Sequence, residues 1–205
     1  MNWIKHPVIL KGNQITLMPL EQTHFSALVN LASNKEIWKH YTIDGSNPVK
    51  LKESLDKALI DTKNGTQYPF VILKNDNERI VGSTRFLDIQ IEHKKLEIGW
   101  TWLHPDYWGT SINLECKLLL LTYCFEELKA KRVQLKTDEN NIRSRKAIEK
   151  IGGKFEGILR NDMIRDNGTN RNSAYYSIID TEWVEILKCW HVKVFNCVVC
   201  MCLAY

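Results

Sequence analysis

One stretch of the chain joins a predicted strand to a predicted helix, and it limits the folds that the chain can adopt. Residues 96–103 are apolar and rich in β-forming residues, and residues 113–129 carry an apolar stripe at helical spacing. Residues 132–137 then form a second short segment of the strand type. A strand, a helix and a strand without a hairpin imply a parallel crossover, which is right-handed in nearly all proteins. We therefore expect an α/β protein.

The turn between the first of these strands and the helix has a sequence suited to anion binding. It runs from Leu103 to Asn113 and contains one glycine, Gly109, followed by the small residues Thr110 and Ser111. The first turn of a helix leaves backbone N–H groups without partners, and the helix dipole adds partial positive charge there. Such a loop can hold a phosphate or pyrophosphate. Similar turns are common in proteins that bind nothing, so the function depends on further motifs.

The other segments predict a mixed, largely antiparallel sheet flanked by helices. Further strands are predicted over residues 14–19, 68–74, 79–89, 155–163 and 174–179, and further helices over 24–32, 35–40, 49–63, 142–151 and 181–187. Gly82 lies inside one of these strands and marks a bulge or a close approach of two backbones. Residues 1–187 are expected to form a single domain, followed by a Cys- and Val-rich tail, residues 188–205, of unknown role.

Charge and cysteine content argue against several classes of protein. The net charge is 28 − 24 = +4, and no segment concentrates the basic residues, so no nucleic-acid partner is predicted. Four of the six cysteines lie in residues 189–202, which is not a disulfide framework, and the N-terminus lacks the apolar core of a signal peptide. We expect a cytoplasmic protein that does not enter a membrane. The Cys197-x-x-Cys200 pair lacks a second pair at zinc spacing, so no metal is predicted.

An ordered series of motifs resembles the GNAT superfamily of acetyl-CoA-dependent N-acetyltransferases. The series consists of Glu97–Leu103, Tyr107–Asn113, Asn141–Ser144, Glu149–Gly153, Phe155–Arg160 and Tyr176–Trp183. Within that superfamily it resembles the branch of ribosomal-protein serine and alanine N-terminal acetyltransferases. The resemblance covers residues 9–187 and implies a sheet in which the strand ending at Leu103 splays away from its neighbour over residues 132–137. The resulting wedge would hold acetyl-CoA.

The resemblance also implies which residues hold acetyl-CoA. Trp102 and Leu103 would offer backbone groups to the pantetheine arm, and Asn141 would hydrogen-bond the same region. The pyrophosphate loop would comprise Trp108, Gly109, Thr110, Ser111, Ile112 and Asn113. One or two of Arg143, Arg145 and Lys146, at the N-terminus of the next helix, would reach the phosphates, and Lys146 is the residue we select. Asp106 and Ser111 depart from the family's loop pattern, and we expect Asp106 to point away from the phosphates.

Acetyl transfer to an amine requires a proton acceptor, because a free amine is mostly protonated near neutral pH. Glu97 is the first candidate for this base and Asp162 the second, although a surface strand carboxylate is an equally good interpretation of Glu97. Backbone N–H groups near Leu103 would stabilise the developing oxyanion. By the same resemblance Ser144 would protonate the departing thiolate, the alternative being an ordinary serine at the start of a helix.

The sequence leaves the acceptor open. It is expected to be a primary amine, either a protein N-terminus or a small molecule, and a homodimer is the default expectation for such enzymes. The alternative is a non-catalytic module of the same fold that binds CoA or a partner protein. Five aromatic residues are candidates for the acceptor cleft, although core positions explain them at least as well: Trp38, Tyr41, Tyr68, Phe86 and Tyr175.

Overall fold

The computed structural model describes residues 3–190 and contains one eight-stranded sheet. The strands are β1 (Leu10–Lys11), β2 (Ile15–Pro19), β3 (Tyr68–Lys74), β4 (Ile80–Gln90), β5 (Lys95–Leu103), β6 (Arg132–Asp138), β7 (Lys154–Ile164) and β8 (Asn170–Ile179). The helices are α1 (Phe25–Leu31), α2 (Pro48–Lys63), α3 (Ile112–Thr122), α4 (Ile142–Lys150) and α5 (residues 180–190). The strand order is β1-β2-β3-β4-β5-β6-β8-β7. The predicted mixed, largely antiparallel sheet flanked by helices is confirmed.

The parallel pair predicted from the strand–helix–strand segment is β5 and β6, and it is the feature that creates the site. Lys95 to Glu97 pair with Arg132 to Gln134 in parallel register, whereas all other neighbouring strands are antiparallel. Beyond these three residues the two strands no longer pair, although each continues. The facing edges of β5 and β6 therefore separate into an open gap.

Local capping explains where the helices begin. The Asn47 side chain accepts hydrogen bonds from the backbone of Val49 and Lys50, and Pro48 occupies the first position of α2. In the same way Asn141 caps α4 by accepting from the backbone N–H of Ser144 at 3.1 Å. These residues combine a good cap with a helical apolar pattern, so α2 and α4 lie within one residue of their predicted bounds.

The helix after the Gly109 turn ends earlier than its apolar stripe predicts. It was expected to reach Lys129, but α3 ends at Thr122 and is followed by a π-helical turn over Tyr123–Glu127. In this turn the Leu128 N–H donates to the Tyr123 carbonyl at 3.0 Å, five residues back. Cys124 and Phe125 within it are buried, so the wider turn continues the core-facing side without continuing the α-helix.

Apolar side chains cover both faces of the sheet. On one face, β5 residues such as Ile98 pack with α3 and α4 through Leu120 and Ile148. On the other face, Trp102 packs with Leu51 and other residues of α1 and α2. The final helix was predicted over 181–187, but it continues to residue 190. Its Trp183 and Trp190 are 5% and 7% exposed, and both belong to the first of these cores.

Several smaller expectations can be compared with the fold. Gly82 is a close-approach point, because a Cβ there would lie 2.1 Å from the Trp102 carbonyl oxygen. Strand β1 was not predicted, because two residues are too few to establish a period. Of the predicted tail, residues 188–190 belong to α5, and residues 191–205, including Cys197 and Cys200, lie outside the described residues. Within residues 3–190, no helix has the length and apolar character that a membrane span requires.

Candidate active site

The gap between β5 and β6 forms a cavity of about 600 Å³, called the wedge cavity below. Its walls come from residues 97–103 of β5 and residues 135–138 of β6. It extends from the start of α3, where Asn113 lines it, to the loop that carries His40 and Tyr41. The end at Asn113 lies on the face of the sheet that α3 covers, and the end at Tyr41 lies on the face that α1 and α2 cover. The wedge cavity therefore connects the two sides of the sheet between its separated strands.

The β5 wall presents backbone groups that no strand pairs. After Glu97 the edge of β5 that faces β6 has no ladder partner, so its backbone N–H groups are open to a ligand, whereas the carbonyls of Thr101 and Leu103 accept hydrogen bonds from the Tyr41 and Trp108 side chains. Trp100 and Thr101 form a bulge, because both lie opposite Thr84 between the pairs Arg85–Gly99 and Ser83–Trp102. Trp100 adopts a positive φ of 51°. The predicted Trp102 and Leu103 line the cavity just beyond this bulge.

The Gly109 turn forms the end of the wedge cavity at α3. Gly109 has a φ of +77°, and a Cβ on it would meet no atom within 4 Å, so open space lies beside its backbone. Side-chain hydrogen bonds help to hold the turn: Trp108 Nε1 donates to the Leu103 carbonyl at 3.0 Å, and Thr110 Oγ1 donates to the Tyr107 carbonyl at 2.7 Å. Trp108, Gly109, Thr110 and Asn113 all line the cavity. The geometry suits an anion at the N-terminus of α3.

Three of the residues predicted to bind acetyl-CoA lie outside the cavity lining. Ser111 donates through Oγ to the Gln14 side chain at 2.9 Å, Ile112 is 2% exposed in the core, and Lys146 is exposed on α4. Ser111 and Ile112 contribute backbone to the start of α3, not a side chain to the wall. Asp106 is also outside the lining; its side chain is 77% exposed and lies 3.3 Å from His104.

Two basic residues of α4, Arg143 and Lys150, line the wedge cavity, and Arg143 is the one that contacts the Gly109 turn. Its guanidinium lies 3.7 Å from the centre of the Trp108 ring and lines the cavity. Arg145 instead donates to the Tyr176 hydroxyl at 2.9 Å. Stacking on Trp108 restricts Arg143 beside the Gly109 turn, where its charge complements a phosphate.

Glu97 lies at the apex of the wedge cavity, in the last paired position of β5. It is 4% exposed, accepts a hydrogen bond from Gln134 Nε2 at 2.9 Å and lies 3.6 Å from Lys136 Nζ. Burial raises the pKa of Glu97 above its ordinary value, and Lys136 and Gln134 oppose this only in part. It is therefore a buried carboxylate in the cavity, not a surface strand residue.

The second base candidate and the candidate acid lie in different surroundings. Asp162 accepts from the Tyr175 hydroxyl at 3.1 Å and is not part of the cavity lining. Ser144 and its capping partner Asn141 both line the cavity from α4. Among the predicted aromatics, Tyr41 lines the cavity, whereas Trp38, Tyr68 and Phe86 are buried in the cores.

The sequence analysis missed several residues that line the cavity, among them His40 and Lys117. His40 lies 3.7 Å from Asp138, which is 2% exposed, and burial lowers the pKa of His40 while Asp138 opposes that shift. Such an imidazole is neutral near pH 7 and can accept a proton. The other residue is Lys117 of α3, which is 7% exposed. Neither belongs to a local motif, because only the packing of separate elements against the sheet brings these two side chains to the cavity.

Comparison with known proteins identifies a family and several relatives. The sequence model of the acetyltransferase (GNAT) domain matches residues 14–154. YoaA of Bacillus subtilis (strain 168), an uncharacterised N-acetyltransferase, is 25% identical over 174 residues, which cover 83% of this chain and 96% of YoaA. YdaF of the same organism, a candidate ribosomal N-acetyltransferase, is 36% identical over 91 residues, which are 44% of this chain and 49% of YdaF.

A solved structure shows the same architecture. A candidate acetyltransferase from T. thermophilus superposes with a TM-score of 0.82 at 29% identity. The match covers 93% of this chain and 98% of that protein. The similarity therefore extends over the whole described fold and is not confined to the Gly109 turn.

Proposed function

The chain belongs to the GNAT acetyltransferase family, and on this premise we propose that it transfers the acetyl group of acetyl-CoA to a primary amine, with a protein N-terminus as the first candidate acceptor. The observation that carries the proposal is the wedge cavity, which joins the Gly109 turn to the α1 and α2 side of the sheet. A donor entering along α3 and an acceptor entering from the opposite side can meet there. The family uses acetyl-CoA as its acetyl donor.

The cavity walls suit acetyl-CoA in three places. The open space beside Gly109 and the free amides at the start of α3 suit the pyrophosphate, with Arg143 beside it. The unpaired edge of β5 offers backbone N–H donors to the carbonyl groups of the pantetheine arm. When bound, acetyl-CoA supplies an acetyl group activated as a thioester. In this proposal strand N–H groups near Leu103 would stabilise negative charge on the carbonyl oxygen.

We assign the proton acceptor to Glu97. An acceptor works best when its pKa lies near the working pH, and burial moves the pKa of Glu97 upward in that direction. Its position at the apex of the wedge cavity lets it act on the amine directly or through one water. The non-catalytic alternative would gain support if Glu97 and Asp162 both lay away from the wedge; Glu97 lines it, which supports the catalytic proposal.

The acceptor proposal rests on likeness alone. The motif series resembles enzymes that act on the N-termini of ribosomal proteins, and YdaF is described as a candidate ribosomal N-acetyltransferase. The test is calorimetric titration with acetyl-CoA, followed by assays with peptides that begin with serine or alanine and with small amines of equal charge. Binding and turnover with a peptide support the proposal. Binding with turnover of small amines alone would overturn the N-terminal acceptor, and absent binding would overturn the whole assignment.

Replacing Ser144 with alanine tests the proposed acid. We expect Ser144→Ala to lower kcat by roughly 10-fold, because a thiol is a good leaving group and needs only modest assistance. The dissociation constant for acetyl-CoA should change little, since the Asn141 cap accepts from the Ser144 backbone and not from its hydroxyl. Steady-state kinetics with calorimetry separates the two effects. An unaltered kcat would remove Ser144 from the mechanism.

A further inference from the structure

Lys117 is a buried lysine in the wall of the wedge cavity. It lies on the second turn of α3, one turn after Asn113, and its side chain is 93% buried. Its ammonium donates to Oγ1 of Thr101, which belongs to the bulge of β5. The lysine therefore spans from the helix to the strand wall that the pantetheine arm is proposed to follow.

The charge of Lys117 has no compensating carboxylate within residues 3–190. Its hydrogen-bond partner in this part of the chain is the neutral hydroxyl of Thr101, and an ammonium has three N–H donors, so two are free for a ligand. Burial lowers the pKa of Lys117 to about 8, the expected response of an unpaired cation. An apolar side chain of similar size would cost less at this position, since uncompensated buried charge is unfavourable.

The surroundings hold the ammonium in one place. Thr101 Oγ1 lies 2.7 Å from Thr84 Oγ1, and the Thr101 carbonyl accepts from the Tyr41 hydroxyl at 2.6 Å. The bulge at Thr101 is therefore held by side chains from both faces of the sheet, Lys117 on one and Tyr41 on the other. Lys117 is fixed against it instead of extending to solvent, as an exposed lysine would.

We propose that Lys117 is a binding residue for acetyl-CoA, donating from the α3 side of the wedge cavity to a carbonyl oxygen of the pantetheine arm or thioester. The inference rests on the proposed use of this cavity by acetyl-CoA. The strand amides of β5 are neutral donors, and Lys117 adds a cationic one. Hydrogen bonds with one ionised partner are stronger than neutral ones, which explains how the buried charge is compensated once the arm is bound.

The proposal predicts proton uptake when acetyl-CoA binds near pH 8. In the ligand-free protein Lys117 is only partly protonated at this pH. A ligand that accepts a hydrogen bond from the ammonium favours the charged form, so the molecules in which Lys117 is neutral take up a proton when the ligand binds. Cys116 on the same helix has its pKa raised to about 11 by burial, and burial also raises the pKa of Tyr41, so both are neutral at this pH. Glu97 and His40 also line the cavity, and their contributions are removed by comparing wild type with a Lys117 variant.

The decisive variant is Lys117→Met, which keeps the length of the side chain and removes its charge. We expect acetyl-CoA to bind roughly tenfold more weakly. Titrations at pH 8 in two buffers with different ionisation enthalpies should show proton uptake for the wild type and less for Lys117→Met. The thermal midpoint of the ligand-free variant should be equal or higher, because removing a buried unpaired charge is not destabilising.

Lys63→Met is the matched control, since Lys63 is an exposed lysine at the end of α2 and receives the same substitution. It should bind acetyl-CoA as the wild type does. Equal affinity and equal proton uptake in Lys117→Met would overturn the inference while leaving the proposed function intact. A lowered thermal midpoint with unchanged proton uptake would assign Lys117 to structure and overturn it as well. Absent binding by the wild type would overturn the proposed function and the inference together.

Discussion

Gly109→Glu is expected to abolish detectable acetyl-CoA binding in a chain that still folds. Gly109 has a φ of +77°, and the direction of its missing Cβ is open space beside the start of α3. A glutamate there places a carboxylate where the pyrophosphate is proposed to bind, so it both occupies that site and adds a repelling negative charge. We expect a loss of roughly 100-fold or more, equivalent to about 2.8 kcal/mol. Calorimetric titration measures it.

Backbone strain must be separated from the effect on the site. A non-glycine residue in the left-handed region costs about 1–2 kcal/mol. Gly168 supplies the control: its φ is +83°, no atom lies within 4 Å of its added Cβ, and it belongs to the turn between β7 and β8, outside the cavity lining. Gly168→Glu should lower the thermal midpoint about as much as Gly109→Glu while leaving the affinity intact. Wild-type affinity in Gly109→Glu would refute the assignment of this turn.

Glu97→Gln is expected to reduce kcat by about 100-fold or more, the usual contribution of a positioned proton acceptor. Glutamine has the same shape and can still accept from Gln134 at the apex of the wedge cavity. The affinity for acetyl-CoA should therefore remain near that of the wild type. Removing the carboxylate leaves Lys136, which lies 3.6 Å from it, without its ion-pair partner, so circular dichroism and the thermal midpoint should be recorded alongside.

The pH profile gives an independent readout of Glu97. A base must be deprotonated to act, so wild-type kcat should fall as the pH drops through the pKa of Glu97. Because burial raises this pKa, the loss should occur at a higher pH than for an ordinary exposed glutamate. Glu97→Gln should lose this limb of the profile. Full activity in Glu97→Gln, with the loss found in His40→Gln, would transfer the role to His40 and its partner Asp138.

Much of the fold was accessible from the sequence, because its signals are local. Strand β3 has the predicted bounds, Tyr68–Lys74, and α2 differs by one residue. Gly109 could be singled out because one glycine between a strand and a helix requires a tight turn, and the structure gives it a positive φ. Alternating or helical apolar patterns and good caps act within a few residues, so a single sequence contains them.

The location of the wedge cavity was decided by tertiary structure. The sequence indicated that β5 and β6 run parallel, and the family resemblance implied that they separate, but neither placed the separation after Glu97 and Gln134. In the sequence Lys117 is one position within an apolar helix, and only the packing of α3 under the bulge of β5 buries its charge.

What the sequence determined by itself was the order of the elements, the parallel crossover and the Gly109 turn, since these follow from hydrophobic period and backbone restriction. The tertiary structure decided which charged groups became buried in the cavity. His40 meets Asp138, and Glu97 meets Lys136, through contacts between separate elements. Desolvation and Coulomb interactions depend on those distances, so the altered pKa values of the site arise only when the sheet has formed.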